Sequence, residues 1–231
     1  MKIVISGYGK MGREIEQLLT ERHVECSGKS ESIMTFDRQV AAESVCIDFT
    51  TPEAFLNNYR FIADNFKAAV IGTTGWNEQK EEVVKYFSQK NKTLIYSSNF
   101  SIGVNIFFKI TEITSKLIGD YYEYQPYILE MHHNKKLDAP SGTAKKLASI
   151  VNSSTGQQIN IQSIRCGNIP GIHQLGFEGP HDRIVLKHEA FSRRGFAEGA
   201  VMAALWSEQI TGIYEFRELL EEKFNKTIWN E

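Results

Sequence analysis

The order of apolar and polar positions divides the chain into two textures. Over the first hundred residues, short apolar runs alternate with stretches of helical spacing. Lys2-Ile3-Val4-Ile5-Ser6 is a β-rich run suited to a strand covered on both faces, as in a parallel sheet. Met11, Ile15, Leu18 and Leu19 then recur at helical spacing. Further strands are predicted over His23 to Gly28, Val45 to Phe49, Ala68 to Gly72 and Thr93 to Tyr96. Helices are predicted after Thr50 or Thr51, with Pro52 and Glu53 in the first turn, and from Asn77 to Gln89. A longer helix is expected from Ser101 to Ile118.

Beyond it the alternation breaks. Tyr127-Ile128-Leu129 reads as a buried strand, and Ala144, Leu147, Ala148 and Val151 form the stripe of a helix from Ser141 to Val151. Ile159 to Arg165, Gly171 to Phe177 and Arg183 to Phe191 read as three strands with no helix between them, hence antiparallel. Phe196 to Ile210 and Tyr214 to Phe224 read as closing helices. The expected class is α/β: an N-terminal Rossmann-type parallel sheet plus a C-terminal α+β domain with a mixed, mostly antiparallel sheet. The expected division is 1–100, 101–195, and C-terminal helices 196–231 returning to the first domain.

Composition narrows the function classes. The 231 residues carry a net charge of −2, which argues against nucleic-acid binding driven by bulk charge. No apolar run approaches a membrane span, and the start lacks the long apolar region of a signal peptide, so a cytoplasmic protein is expected. Three scattered cysteines, Cys26, Cys46 and Cys166, lack zinc-ligand spacing and read as reduced, mostly buried thiols. No metal site is expected.

Chemistry concentrates at strand ends. Gly7-Tyr8-Gly9-Lys10-Met11-Gly12 is a G-x-G-x-x-G between a strand and a helix, the arrangement that seats a dinucleotide pyrophosphate. No acid stands at the end of the predicted second strand. Lys29, like Lys10, either faces a 2′-phosphate or is solvated; NADPH is expected to serve at least as well as NADH. Gly72-Thr73-Thr74 and Ser97-Ser98-Asn99-Phe100 are candidates for the nicotinamide side, against a reading as ordinary turns and caps.

The densest stretch is Glu130 to Ala144, E-M-H-H-N-K-K-L-D-A-P-S-G-T-A. Adjacent histidines in an extended strand point to opposite sides. His132 and Lys136, four apart across a turn, can converge. Ser141-Gly142-Thr143 opens a helix whose free N–H groups make a carboxylate or phosphate seat, and Arg193 supplies a second cation. Together they suit a ligand with two carboxylates and a histidine that moves a proton.

That stretch resembles the signature of the 4-hydroxy-tetrahydrodipicolinate reductase (dihydrodipicolinate reductase) family. Gly7 to Gly12, Gly72 to Gly75, Ser97 to Asn105, His188 to Arg193 and Phe196 to Ala200 resemble further family segments. The resemblance implies an NADPH or NADH cofactor and a cyclic dicarboxylate substrate reduced with loss of water. It implies His132 as proton donor or acceptor, Lys136 as a second proton donor, and His133 as a substrate contact. Gly142-Thr143 becomes the carboxylate seat, and a homotetramer is implied. Other readings are a related amino-acid dehydrogenase, which leaves the histidine–lysine run unexplained, and a nucleotide-sensing protein without turnover, which leaves His132 and Lys136 without a purpose.

Overall fold

The computed structural model describes residues 1–121 and 123–229, with side chains up to residue 224. Its chain forms two compact units. One comprises Met1–Ser101 with Arg194–Glu231, the other Ile102–Arg193.

The first unit holds a six-stranded parallel sheet. Its strands are β1 (Lys2–Ser6), β2 (Glu25–Ser30), β3 (Ser44–Asp48), β4 (Ala68–Ile71), β5 (Thr93–Tyr96) and β10 (Ile213–Glu215), in the order β10-β5-β4-β3-β1-β2. The helices are α1 (Lys10–Glu21), α2 (Arg38–Ala42), α3 (Pro52–Asn65), α4 (Lys80–Gln89), α7 (Arg194–Trp206) and α8 (Phe216–Trp229). Period-two alternation fills both faces. Val4, Cys46, Ala69, Ile71 and Leu94 pack with Phe55, Ile62, Phe66, Val83 and Phe87 of the α3–α4 side. The intervening Ile3, Ile5, Val45, Ile47, Val70 and Ile95 are equally buried, and α7 packs on α1, β3 and β4. Thr51 caps α3, its Oγ1 accepting the Ala54 N–H, with Pro52 at the first helical position.

Three expectations change here. The second strand runs two residues further than predicted, to Ser30, because its backbone stays paired with β1 and the Gly7 N–H donates to the Ser30 carbonyl. Glu31 therefore stands directly after that strand. Residues 77–79 form a 3-10 turn before α4, rather than its first turn. Finally, Tyr214 does not start a helix. Ile213-Tyr214-Glu215 pairs in parallel with Leu94-Ile95-Tyr96 and satisfies backbone groups that β5 would otherwise leave at an open edge. Helical spacing from Phe216 onward hid these three β-compatible residues. Of the cysteines, Cys46 is buried, Cys26 is half-buried and Cys166 is exposed, so burial covers only part of the set.

The second unit is a four-stranded sheet, order β7-β6-β8-β9, with α5 (Ile102–Ile118) and α6 (Gly142–Thr155). Its strands are β6 (Gln125–His132), β7 (Asn160–Arg165), β8 (Gly171–Glu178) and β9 (Arg183–Ala190). β6 and β7 run parallel, joined through α6, while β8 and β9 are antiparallel. The run β7, β8, β9 is therefore antiparallel in direction, but β6 lies between β7 and β8. Ile128, Leu175 and Phe177 meet Val104, Phe107, Phe108, Leu147 and Val151 in the core between sheet and helices.

Candidate functional site

In the second unit the sheet register builds the site. Glu130 and His132 lie on the same face of β6 as the core residue Ile128. Across the sheet, Glu130 is paired with Ser163 of β7 and His173 of β8, and His173 with His188 of β9. One row lower, His132 is paired with Arg165. Two rows of the core face thus carry polar groups where apolar side chains would otherwise continue the core.

Glu130 is the centre of this patch and is fully buried. Its Oε1 accepts from Arg165 Nη2 at 2.7 Å and from the Ser141 N–H at 3.3 Å. Its Oε2 accepts from His132 Nδ1. Burial alone would raise the carboxyl, but the bonds from Arg165, Ser163 and His132 outweigh it and hold the group at about 2. Glu130 is therefore an anion at neutral pH. An ionised carboxylate only accepts, so His132 must carry its proton on Nδ1, and Nε2 is the nitrogen left to exchange one. Burial pushes the His132 imidazole below its ordinary value; Glu130 opposes this, and Lys136 and Arg165 push further down. The resting ring is neutral.

His173 sits edge-on to His132, with ring centroids 5.0 Å apart. Burial drives it to about 4. Its Nε2 meets Ser141 Oγ at 3.2 Å, while Nδ1 is sealed without a partner. Ser141 is the cap of α6, Oγ accepting the Ala144 N–H. The first two N–H groups of that helix, at Gly142 and Thr143, have no intrahelical acceptor, and a side chain at Gly142 would meet nothing within 4 Å. The predicted carboxylate seat is thus an open helix start, two bonds from the His132 ring through Glu130.

The other residues predicted for this site are placed differently. Lys136 pairs with Asp138 at 2.7 Å and lies within electrostatic reach of His132. His133 has a sealed Nδ1 without a hydrogen-bond partner, and its backbone N–H donates to the Ile169 carbonyl at 2.8 Å. Arg193 is exposed in the bend after β9. Glu130, His132 and His173 each offer a metal-ligand atom within 4.8 Å of the others, but Arg165 already neutralises Glu130 and would repel a dication. Sequence reasoning assigned no role to Glu130, Arg165 or His173. Alternation in E-M-H and in G-I-H-Q-L-G-F marks the faces of Glu130 and His173; nothing local marks Arg165, whose place depends on pairing across the α6 crossover.

In the first unit the glycine loop shows three separate requirements. Gly7 has φ +87°, and a Cβ there would lie 2.5 Å from the Phe49 carbonyl oxygen. A Cβ on Gly12 would lie 2.4 Å from the Gly7 carbonyl oxygen, so α1 packs closely on the loop. Gly9 faces open space, as close approach of a pyrophosphate needs. The loop opens α1, whose N-terminus favours phosphate. Lys29 Nζ lies 4.5 Å over the Tyr8 ring and pairs with Glu16 at 2.6 Å, and Tyr8 also donates to Glu16. Lys10 and Met11 open the helix itself. Of the predicted nicotinamide-side residues, Thr73 donates to buried Asp48 at 2.5 Å. Ser97 donates to Glu215 at 2.8 Å, Asn99 Oδ1 accepts the Ser101 N–H, and Phe100 is buried against Phe216. Thr74 and Ser98 are the exposed members. Asp48 ties Ser6, Thr50 and Thr73 together beside the glycine loop.

Comparison with known proteins agrees along the chain. Residues 1–100 match the family model "Dihydrodipicolinate reductase, N-terminus", and residues 103–220 the model "Dihydrodipicolinate reductase, C-terminus". The 4-hydroxy-tetrahydrodipicolinate reductase of Christiangramia forsetii is 33% identical over 97% of this chain and 99% of its own. That of Methanococcoides burtonii is 39% identical over 71% and 67%. The dipicolinate-bound dihydrodipicolinate reductase from Paenisporosarcina sp. TG-14 shares the fold with TM-score 0.76, at 22% identity over 94% of this chain and 98% of that one. The chain belongs to the dihydrodipicolinate reductase family, and is an NAD(P)H-dependent oxidoreductase.

Proposed function

We propose that the protein reduces 4-hydroxy-tetrahydrodipicolinate to tetrahydrodipicolinate with loss of water, in lysine and diaminopimelate biosynthesis. The observation that carries this reading is the joint placement of the His132 ring and the α6 N-terminus on one buried carboxylate, Glu130. A proton-exchanging nitrogen and an anion seat are thereby held together. The pyridine nucleotide, when bound, supplies the hydride, and the residues fit it: Gly7, Gly9 and Gly12 form the pyrophosphate turn. Tyr8, Lys10, Met11 and Lys29 border its adenosine end. Gly72, Thr73, Thr74, Ser97, Ser98, Asn99 and Phe100 border its nicotinamide end, with Thr73, Ser97 and Phe100 shaping the loops from within.

Ser141, Gly142 and Thr143 receive one carboxylate, and His133 and Arg193 contact the substrate. A dianion beside His132 favours the charged imidazole, so substrate binding draws a proton onto Nε2 and readies it for transfer. Lys136 is the second proton donor. Both NADH and NADPH serve, Lys29 turning from Glu16 to the 2′-phosphate. The working form is a cytoplasmic homotetramer; no helix among the described residues is long and apolar enough to cross a membrane. The test follows NAD(P)H oxidation, with both nucleotides, coupled to dihydrodipicolinate synthase, pyruvate and aspartate semialdehyde. Oxidation that depends on the synthase supports the reading; none with either nucleotide rejects it.

A further inference from the structure

We infer that Glu130 and Arg165 are positioning residues for the proposed reduction: Glu130 fixes the His132 tautomer and ties that ring to the helix start that receives the substrate. The inference rests on the function proposed above.

Glu130 has four partners on three segments: Arg165 and Ser163 belong to β7, His132 to β6, and Ser141 starts α6. Arg165 also donates to the Asp138 carbonyl at 2.6 Å, so the same guanidinium holds the segment leading into the helix. Oε1 is occupied by Arg165 and Ser141, which leaves Oε2 for His132. The imidazole then has one orientation and one tautomer, with its proton on Nδ1. The chain accepts a fully buried charge here, and an ion pair in such a place is a costly way to gain stability. A rigid setting for a proton-transfer group is a function that warrants it.

The groups facing His132 are Glu130 on its own strand, Arg165 on β7, His173 on β8 and Lys136 in the following turn. Only Glu130 among them is anionic. Its removal lowers the imidazole further, whichever protonation state the reaction uses. A glutamine at 130 can accept from His132, but its amide then turns an N–H toward Arg165. It satisfies one partner and opposes the other.

The test compares wild type, Glu130→Gln, and the charge-neutral pair Glu130→Gln/Arg165→Met, which leaves no unpaired buried ion. Long-range 15N–1H correlation of histidine-labelled protein reads the tautomer without turnover. The coupled assay across pH reads kcat, substrate KM and the position of the His132 limb. Fluorescence titration reads NADPH affinity, and circular dichroism reports folding. In wild type, His132 is expected to carry its proton on Nδ1. In both variants kcat should fall by roughly 100-fold or more, substrate KM should rise, the His132 limb should move to lower pH, and NADPH affinity should stay essentially unchanged. A folded double variant with wild-type kcat and pH profile, or an Nε2-protonated His132 in wild type, overturns the inference. Either result leaves the proposed reduction standing, because wild-type turnover in the same assay tests that separately.

Discussion

Ser141 offers a measurement of how firmly the start of α6 is held. Its Oγ accepts the Ala144 N–H at 3.2 Å and, among the described residues, is the one hydrogen-bond partner of the His173 ring, at 3.2 Å. His173 is 5% exposed and its Nδ1 is already sealed and unpaired. Ser141→Ala therefore removes a helix cap, about 1 kcal/mol. It also strands a buried imidazole with no partner, on the order of 1–3 kcal/mol more. The sum is about 3 kcal/mol, more than an exposed cap would give. His173→Leu removes the imidazole and its need for a partner, so Ser141→Ala in that background should cost only the cap. The cycle should give a coupling of about 1–3 kcal/mol, the stranded-imidazole term. All three tryptophans, Trp76, Trp206 and Trp229, lie outside the Ile102–Arg193 unit, so fluorescence is blind to this change. Native-state hydrogen exchange of the α6 amides is the suitable assay, because it reads local opening. Additivity within about 0.3 kcal/mol would refute the claim that Ser141 and His173 support each other.

Four other outcomes follow from the site and its contacts. His132→Gln should reduce kcat far more than it weakens NADPH binding, and Lys136→Ala should remove most turnover; full activity in the Lys136 variant would exclude that ammonium from the reaction. Glu130, held at about 2 against an ordinary 4.5, binds fewer protons folded than unfolded. Its contribution, about 3 kcal/mol, is present above pH 4.5 and lost as pH falls toward 2. His173, pushed from 6.5 to about 4, acts in the same sense between those values. Urea denaturation at pH 7, 5 and 3.5 should show falling stability, with a shallower fall in Glu130→Gln/Arg165→Met; equal slopes would count against the carboxylate. Glu16→Gln frees Lys29 from its ion pair and should raise kcat/KM for NADPH relative to NADH, and an unchanged ratio would place Lys29 away from the 2′-phosphate.

Much of this protein was legible in the order of its residues, because the relevant physics is local. The unbroken apolar run Ile3-Val4-Ile5 and the helical spacing from Met11 fix strand, turn and helix within the first twenty residues, and the glycine loop carries its own steric logic. The cap at Ser141 and the motif Glu130–Ala144 are likewise contiguous, so the histidine, the lysine and the helix start could be read together. What tertiary structure decided is which of these groups meet. Strand β10 is three residues long and exists only because β5 offers an unpaired edge. Arg165 reaches Glu130 because β7 returns beside β6 after a helical crossover, and His173 because β8 lies on the other side. Those pairings join residues about 35 and 43 positions apart. Local propensity carries no information over that distance, because register is set by burying a whole sheet face at once. The sequence by itself marked a histidine and a helix start as candidates for proton transfer and anion binding. The fold decided that one buried carboxylate, Glu130, joins the His132 ring to the start of α6.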